Sequence, residues 1–326
     1  MKGIVVEKKG ERPFLVWSDV ANVDYGSDEV LVAVKATAVN RADLMQAAGN
    51  YPPPPGASEI LGLEMAGVIE AVGAGATGWQ VGDRVCALLP GGGYAEKVAV
   101  PQGMMLRLPD EWTFAQGTAV PEVWLTAFVN LFQEGNLQPG ETVLIHAGAS
   151  GVGTAAIQLA KNIEARVFVT SSQEHKLAHC RELGADLAIN YKEQDFLAEV
   201  WAATGGEGVD LILDPVGGAY LDRNVKALRR FGRLVTIGLL GGGSGQMNVS
   251  LLLFKRLQII GSTLRSRPLA EKIAINRQFE AQFWHKLVSG ELQPIIDAEF
   301  PIEQAQAAHD YVAQDRNVGK VILHIT

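Results

Sequence analysis

The stretch Glu141–Lys161, ETVLIHAGASGVGTAAIQLAK, leaves few folds open to this chain. Thr142–Ile145 is a short, largely β-branched run that suits a buried parallel strand. Gly148, Gly151 and Gly153 follow where a tight turn must form, and the residues after them repeat apolar positions at helical spacing. A helix over about Val152–Asn162 turns Ile157, Leu159 and Ala160 toward a sheet. Backbone without Cβ atoms lets a pyrophosphate lie against amide groups at a helix N-terminus. The spacing is G-x-x-G-x-G rather than the usual G-x-G-x-x-G. It is therefore the placement between strand and helix, more than the pattern, that points to a dinucleotide held by Gly148, Ser150, Gly151, Val152 and Gly153.

The flanking sequence extends this pattern. Strands are predicted at Ala165–Val169, Leu187–Ile189, Val209–Leu213, Leu234–Ile237 and Gln258–Ser262. Helices at Gln173–Leu183, Gln194–Ala203 and Ala219–Leu228 alternate with them, as βαβ crossovers in one doubly wound parallel sheet require. The first 120 or so residues are different, with short β segments (Gly3–Val6, Val30–Val34, Met65–Val72, Arg84–Leu88, Ala95–Val100) separated by glycine-containing turns. Asn50–Ala57, NYPPPPGA, is too rich in proline for a central strand or helix and reads as a stiff surface loop. The C-terminal residues hold two helical patterns, Leu269–Ser289 and Ile302–Ala313, and a strand, Lys320–Ile325. They are too few for a domain and are expected to return to the first one. The fold class is α/β, with residues 1–121 and 264–326 as one domain and 122–263 as the other.

A formal charge of −8 leaves no basic excess to meet phosphates, so neither nucleic acid nor a membrane surface is the expected main partner. Cys86 and Cys180 are the only cysteines, which excludes a disulfide framework and a cysteine-based zinc cage. No run approaches the roughly 18 apolar residues of a membrane span, and the cytoplasm is the expected location.

In an NAD site the second strand ends in a carboxylate that accepts from the ribose. Here it ends Val169-Thr170-Ser171-Ser172. The hydroxyls of Ser171 and Ser172 and the ammonium of Lys176 suit a 2′-phosphate, so NADPH is favoured over NADH, although Glu174 stands nearby. Lys176 has a blander reading as a solvent-facing helix lysine. Tyr191 follows the third strand and could stack on the adenine. Asp214–Gly218 and Gly238–Gly245, the latter with Gly238 and Leu240, fall at strand ends where such sheets bind ligands. The glycines at 241–243 and 245 would let backbone approach a cofactor, or simply make a flexible loop.

The order of several motifs resembles the medium-chain dehydrogenase/reductase superfamily, specifically its zinc-free quinone oxidoreductase, zeta-crystallin-like branch. The motifs are Asn40-Arg41-Ala42-Asp43, Leu61-Gly62-Leu63-Glu64, Gly82-Asp83-Arg84-Val85, Gly93-Tyr94-Ala95-Glu96, the Gly148–Gly153 turn and Gly319-Lys320-Val321. The resemblance implies a GroES-like β-rich catalytic domain into which a Rossmann domain is inserted. Zinc-dependent relatives carry Cys where Asn40 stands and His where Leu63 stands, and an amide and an isobutyl group cannot replace those ligands, so no metal is expected. The resemblance further implies hydride transfer from NADPH to a quinone, with Asn40, Tyr51 and Ser150 as candidate catalytic residues. Asn40 would lie near the nicotinamide and Tyr51 at the mouth of the acceptor pocket. Thr126, Arg265 and Asn317 join the candidate cofactor contacts, and a homodimer or dimer of dimers is expected through Val249–Phe254 and the strand after it. The alternatives are an NADPH-dependent 2-alkenal or enone reductase, and an NADPH-binding protein without enzymatic activity.

Overall fold

In the computed structural model, which describes residues 1–9 and 12–326, the chain forms two units: Met1–Leu125 with Arg265–Thr326, and Thr126–Leu264. The first unit opens with an antiparallel pair, β1 (Lys2–Lys9) and β2 (Arg12–Asp19). The strand β3 (Glu29–Val39) is twice the length that VLVAV suggests. Its small residues Ala36 and Ala38 continue the buried face begun by Val30, Val32 and Val34. The helix α1 (Arg41–Ala47) follows at once, then β4 (Glu64–Val72), β5 (Arg84–Leu88), β6 (Lys97–Pro101) and β7 (Met105–Arg107). Two helices, α2 (Phe114–Thr118) and α3 (Pro121–Phe128), complete this part.

The unit boundary falls within α3 rather than at its start, a few residues beyond the expected break at 121. The reason is local: the Glu122 amide donates to Glu64 Oε2 at 2.8 Å and ties the first turn of α3 to β4. Past Phe128 the helix widens into a π-type turn, Val129–Glu134.

The second unit is a six-stranded sheet whose strands are all parallel. Its elements are β8 (Thr142–Ile145), α4 (Gly151–Asn162), β9 (Arg166–Ser171), α5 (Glu174–Glu182), β10 (Leu187–Asn190), α6 (Phe196–Ala203), β11 (Val209–Asp214), α7 (Leu221–Ala227), β12 (Leu228–Thr236), α8 (Val249–Lys255) and β13 (Gln258–Gly261). The strand order β10-β9-β8-β11-β12-β13 turns back beside β8, which makes the carboxyl ends of β8 and β11 the switch point where ligands of such sheets lie. Leu144, Phe168, Ile189 and Ile212 from the sheet close a core with Phe196 and Val200 of α6. The segment Val249–Phe254 is only partly buried within its own unit, with Leu251 and Leu252 packed against the core. It is a helix, with Val249, Leu253 and Phe254 63%, 70% and 76% exposed.

The chain then returns to the first unit through α9 (Leu269–Phe279), a π-type turn at Glu280–Trp284, α10 (His285–Val288), β14 (Ile296–Pro301), α11 (Ala305–Ala313) and β15 (Lys320–His324). Strand β15 pairs with β3 and completes the order β14-β15-β3-β4-β5-β7. Across that pair Ile322 packs with Ala36, Ala38, Ala115 and Ala119. The return brings Lys320 to the end of β3, next to Asn40.

Candidate active site

In the second unit the predicted turn forms a site of backbone groups. Ala147 adopts a left-handed conformation (φ 53°), and the Gly148 amide donates to Thr170 O at 2.9 Å. Ser150 is the N-cap of α4, its Oγ accepting from the Gly153 amide at 3.1 Å while its own proton stays available to donate. The amides of Gly151 and Val152 open the helix, where no intrahelical carbonyl precedes them. The glycines at 148 and 153 are explained first by packing within the protein. A Cβ on Gly148 would lie 2.7 Å from Val169 Cβ, and one on Gly153 would lie 2.4 Å from Gly148 O. The free amides of Gly151 and Val152 therefore depend on a turn that only glycine can close.

The loops after β11 and β12 are pinned to each other. Gly218 donates to Gly242 O at 2.9 Å, Gly241 to Val216 O at 2.7 Å and Leu240 to Pro215 O at 3.1 Å. The glycines at 218 and 245 let the two backbones touch, since a Cβ on either would meet the other loop within 2.3 Å. Gly238–Gly245 is thus a fixed loop, and Asp214 anchors its partner by accepting from the amides of Val216 and Gly217.

At the end of β9, Ser171 is buried and no carboxylate follows it. Lys176 is also buried, on the inner side of α5, which rules out a plain solvent-facing lysine. Glu174 turns away and pairs with Arg181 at 2.7 Å. Tyr191 is exposed just past β10, and Thr126 O accepts from Asn130 Nδ2 at 2.8 Å. A buried imidazole absent from the sequence reading holds this corner together. His146 Nδ1 and Thr170 Oγ1 are 2.9 Å apart, and His146 Nε2 and Asn224 Oδ1 are 2.8 Å apart. The amide oxygen can only accept, so Nε2 carries the proton and Nδ1 accepts from the threonine hydroxyl. Burial pushes this imidazole down to about 4, so it is neutral and fixes Thr170, the neighbour of Ser171, against α7. Nothing in the local sequence around His146 distinguishes it from an ordinary strand-end residue.

In the first unit the candidate residues are gathered by side chains. Asn40 is nearly buried, and its amide is committed on both sides: Nδ2 donates to Glu64 Oε1 at 2.8 Å, and Oδ1 accepts from Lys320 Nζ at 2.7 Å. Lys320 also forms an ion pair with Glu64 at 2.6 Å, with both side chains inside the unit. An ammonium thus sits between positions 40 and 64, beside Leu63, which carries no ligand atom. Asp43 accepts from the amides of Asn40 (2.8 Å) and Gly62 (2.9 Å) and closes the first turn of α1. Burial raises its carboxyl to about 6 despite those bonds. Behind it, Tyr94 Oη lies 3.1 Å from Nε2 of buried His309. Burial, and then the charge of Glu64, push the Glu122 carboxyl up to about 8. Tyr51 lies half-buried under Arg265, whose guanidinium carbon is 5.2 Å from the ring centre. Asn317 donates to Gly319 O at 2.7 Å and shapes the turn before Lys320. The sequence singled out Asn40 and Tyr51 but missed Asp43, Glu122 and Lys320 as members of the cluster.

With this geometry in view, the comparisons fall into one pattern. Residues 151–278 match the family described as zinc-binding dehydrogenase, and residues 26–110 match the alcohol dehydrogenase GroES-like domain. The quinone oxidoreductase of Rattus norvegicus is 31% identical over 98% of this chain and 96% of its own length. The 2-haloacrylate reductase of a Burkholderia species is likewise 31% identical over 98% of this chain and 97% of its own length. Among solved structures, the Escherichia coli quinone oxidoreductase complexed with NADPH superposes with a TM-score of 0.88 at 27% identity, with each chain covered in full. The chain belongs to the medium-chain dehydrogenase/reductase superfamily, in its quinone oxidoreductase branch, with the GroES-like and Rossmann-like folds of that group. It is an oxidoreductase of that superfamily.

Proposed function

We propose that this chain reduces quinones with NADPH by direct hydride transfer, without zinc or flavin. The observation that carries the reading is Lys320. Its ammonium takes the place between Asn40 and Glu64, and a cation already paired there, with an amide and no thiolate or imidazole beside it, does not fit a catalytic zinc. An acceptor that is itself electron-poor needs no Lewis acid to take up hydride. The second unit fits the cofactor: the Gly151 and Val152 amides and the Ser150 hydroxyl, at the N-terminus of α4, suit a pyrophosphate. Ser171, Ser172 and Lys176 suit a 2′-phosphate, Tyr191 an adenine, and Gly238, Leu240 and Thr126 the remaining length. Arg265 and Asn317 complete the proposed cofactor set from the first unit. When bound, the nicotinamide supplies the hydride. Tyr51 then lies against the acceptor, Ser150 donates to phosphate or acceptor, and Asn40, locked by Glu64 and Lys320, acts by positioning.

The 2-haloacrylate reductase relative favours one second reading, hydride addition to an activated alkene. Following NADPH oxidation with a panel of ortho- and para-quinones and 2-alkenals, with and without a chelator, separates the two. Chelator-insensitive turnover of quinones, preferring NADPH to NADH, is the expected result. Turnover of alkenals alone moves the protein to the second reading, and tight NADPH binding with no turnover makes it a non-enzymatic binder. We carry a homodimer, or a dimer of dimers, in the same reading. It is supported by exposed Val249, Leu253 and Phe254 on α8 next to β13, which pairs within the sheet only with β12. Cytoplasmic residence belongs to it too, and the free thiols of Cys86 and Cys180 accord with a reducing compartment.

A further inference from the structure

Arg265 is 7% exposed, and two of its three guanidinium nitrogens are committed. Nε donates to Pro90 O at 2.8 Å, and one terminal nitrogen donates to Gln46 Oε1 at 2.7 Å. These bonds clamp the side chain between α1 and the loop after β5. The third nitrogen, Nη1, is buried and has no hydrogen-bond acceptor. An arginine cannot shed its charge to relieve this, and a buried donor without a partner costs about 1–3 kcal/mol. The planar cover over it is the half-buried ring of Tyr51, from the proline-rich loop. Carboxyl groups of Asp43, Glu122 and Glu59 act on the guanidinium, and the Lys272 ammonium donates to the backbone oxygen of Arg265 at 3.3 Å. None of these satisfies Nη1.

We infer that Arg265 belongs to the acceptor site: its unpartnered Nη1–H, beside the Tyr51 ring, donates to the acceptor oxygen that becomes negative during reduction. This gives Arg265 a role toward the acceptor beyond the cofactor contact proposed above, and it rests on reading Tyr51 as part of the acceptor pocket. The acceptors selected are planar molecules with a carbonyl oxygen conjugated to the reducible centre. Hydride brings two electrons and leaves one negative charge on the acceptor, and one proton from solvent then neutralises it. A quinone becomes its hydroquinone as NADPH becomes NADP⁺. A fixed donor aimed at the developing oxyanion stabilises the charged state more than the neutral acceptor.

The test uses 4-nitrophenol, which is not reduced by hydride and resembles the product oxyanion. Its absorbance reports the ionisation of the bound phenol with no cofactor and no turnover. Wild-type protein is expected to prefer the phenolate, lowering the bound phenol's pKa by one unit or more, a preference of about tenfold for the anion. Arg265→Gln should abolish the shift, and with NADPH and a quinone it should lower kcat/KM by about a hundredfold, the usual effect of losing one oxyanion donor. Arg265→Lys provides a second variant if the glutamine protein does not fold. It keeps the charge but cannot hold Pro90, Gln46 and a ligand together, so it should keep only part of the shift. An unchanged phenolate preference in a folded Arg265 variant, or its absence from the wild type, overturns the assignment. A protein that binds phenolate through Arg265 yet reduces no quinone sustains the assignment and refutes the proposed function instead.

Discussion

The two units place polar groups in opposite ways. In Thr126–Leu264 the polar groups of the candidate site are backbone amides at a turn, held by glycines that leave no room for a side chain. In the unit built from the two chain ends the polar groups are buried and bond to one another, from Asn40 and Asp43 at the start of α1, Glu64 on β4, Glu122 on α3 and Lys320 on β15. The first arrangement owes its stability to shape. The second relies on mutual satisfaction of buried charges, and a partly satisfied network costs more than an apolar core. Substitution should therefore be felt through different quantities in the two units.

The largest effect is expected from breaking the ion pair. Lys320→Met removes the ammonium but leaves Glu64 ionised and buried, which should cost about 3–5 kcal/mol in urea unfolding. The pair Lys320→Met with Glu64→Gln should recover most of that loss, because neither charge is then stranded. Equal losses in the single and double variants would show that the cluster is held by packing rather than by charge, and the contrast between the units would fail.

This contrast also explains what could be read from the sequence. The strand–turn–helix at Thr142–Asn162 was legible because its determinants are local: β-branched residues, glycines and a 3.6-residue period lie side by side. The alternating elements through β13 were legible for the same reason, with ends displaced by one or two residues, except β12, which begins at Leu228 instead of Leu234, and α8, which was not foreseen as a helix. In the first unit β2, α1, β7, α2 and β14 escaped notice. Helix α1 has only seven residues, and its capping carboxylate, Asp43, is set within a motif that reads equally well as a turn. The cluster itself was illegible because Lys320 is 280 positions from Asn40, and only the β15–β3 pairing brings them together. The loops at 215–218 and 238–245 were ambiguous for a related reason. Glycine-rich sequence does not say whether its freedom serves a ligand, mobility or, as here, contact between two backbones.

The next effect concerns pH and should distinguish the units. Asp43 is raised to about 6 and Glu122 to about 8, so in the folded protein their neutral forms are favoured. The stability they contribute is complete below the unfolded values near 4 and is lost as pH rises through about 6 and then about 8. For fully buried Asp43 alone the loss is about 2–3 kcal/mol. His146 and His309 behave oppositely. Both are lowered to about 4, so their contribution is present above about 6.5 and is lost as pH falls toward 4. One such histidine lies in each unit; the two carboxyls raised furthest, Asp43 and Glu122, lie in the first, while burial raises Asp214 of the second unit less. Acid should weaken both units and alkali mainly the first. Hydrogen exchange read by peptide at pH 5, 7 and 9, corrected for intrinsic rates, checks this, and Glu122→Gln should flatten the upper part of the alkaline limb. Parallel alkaline weakening in both units would remove the electrostatic half of the comparison.

The smallest effect is expected where a side chain supports a site made of backbone. Ser150 contributes one capping bond, from the Gly153 amide to its Oγ, and Ser150→Ala should cost about 1 kcal/mol of stability. The Gly151 and Val152 amides and the glycine-closed turn remain, since Gly148 is still tied to Thr170 and the Cβ-free approaches at 148 and 153 are untouched. NADPH affinity measured by fluorescence titration should therefore fall by less than about tenfold, or about 1.4 kcal/mol. Gly153→Ala, which adds only a methyl group, places it against Gly148 O and should weaken binding more than loss of the hydroxyl does. The reverse order would mean that the serine hydroxyl, and not the shape of the turn, carries the binding. The second unit's site would then depend on a side chain just as the first unit's cluster does.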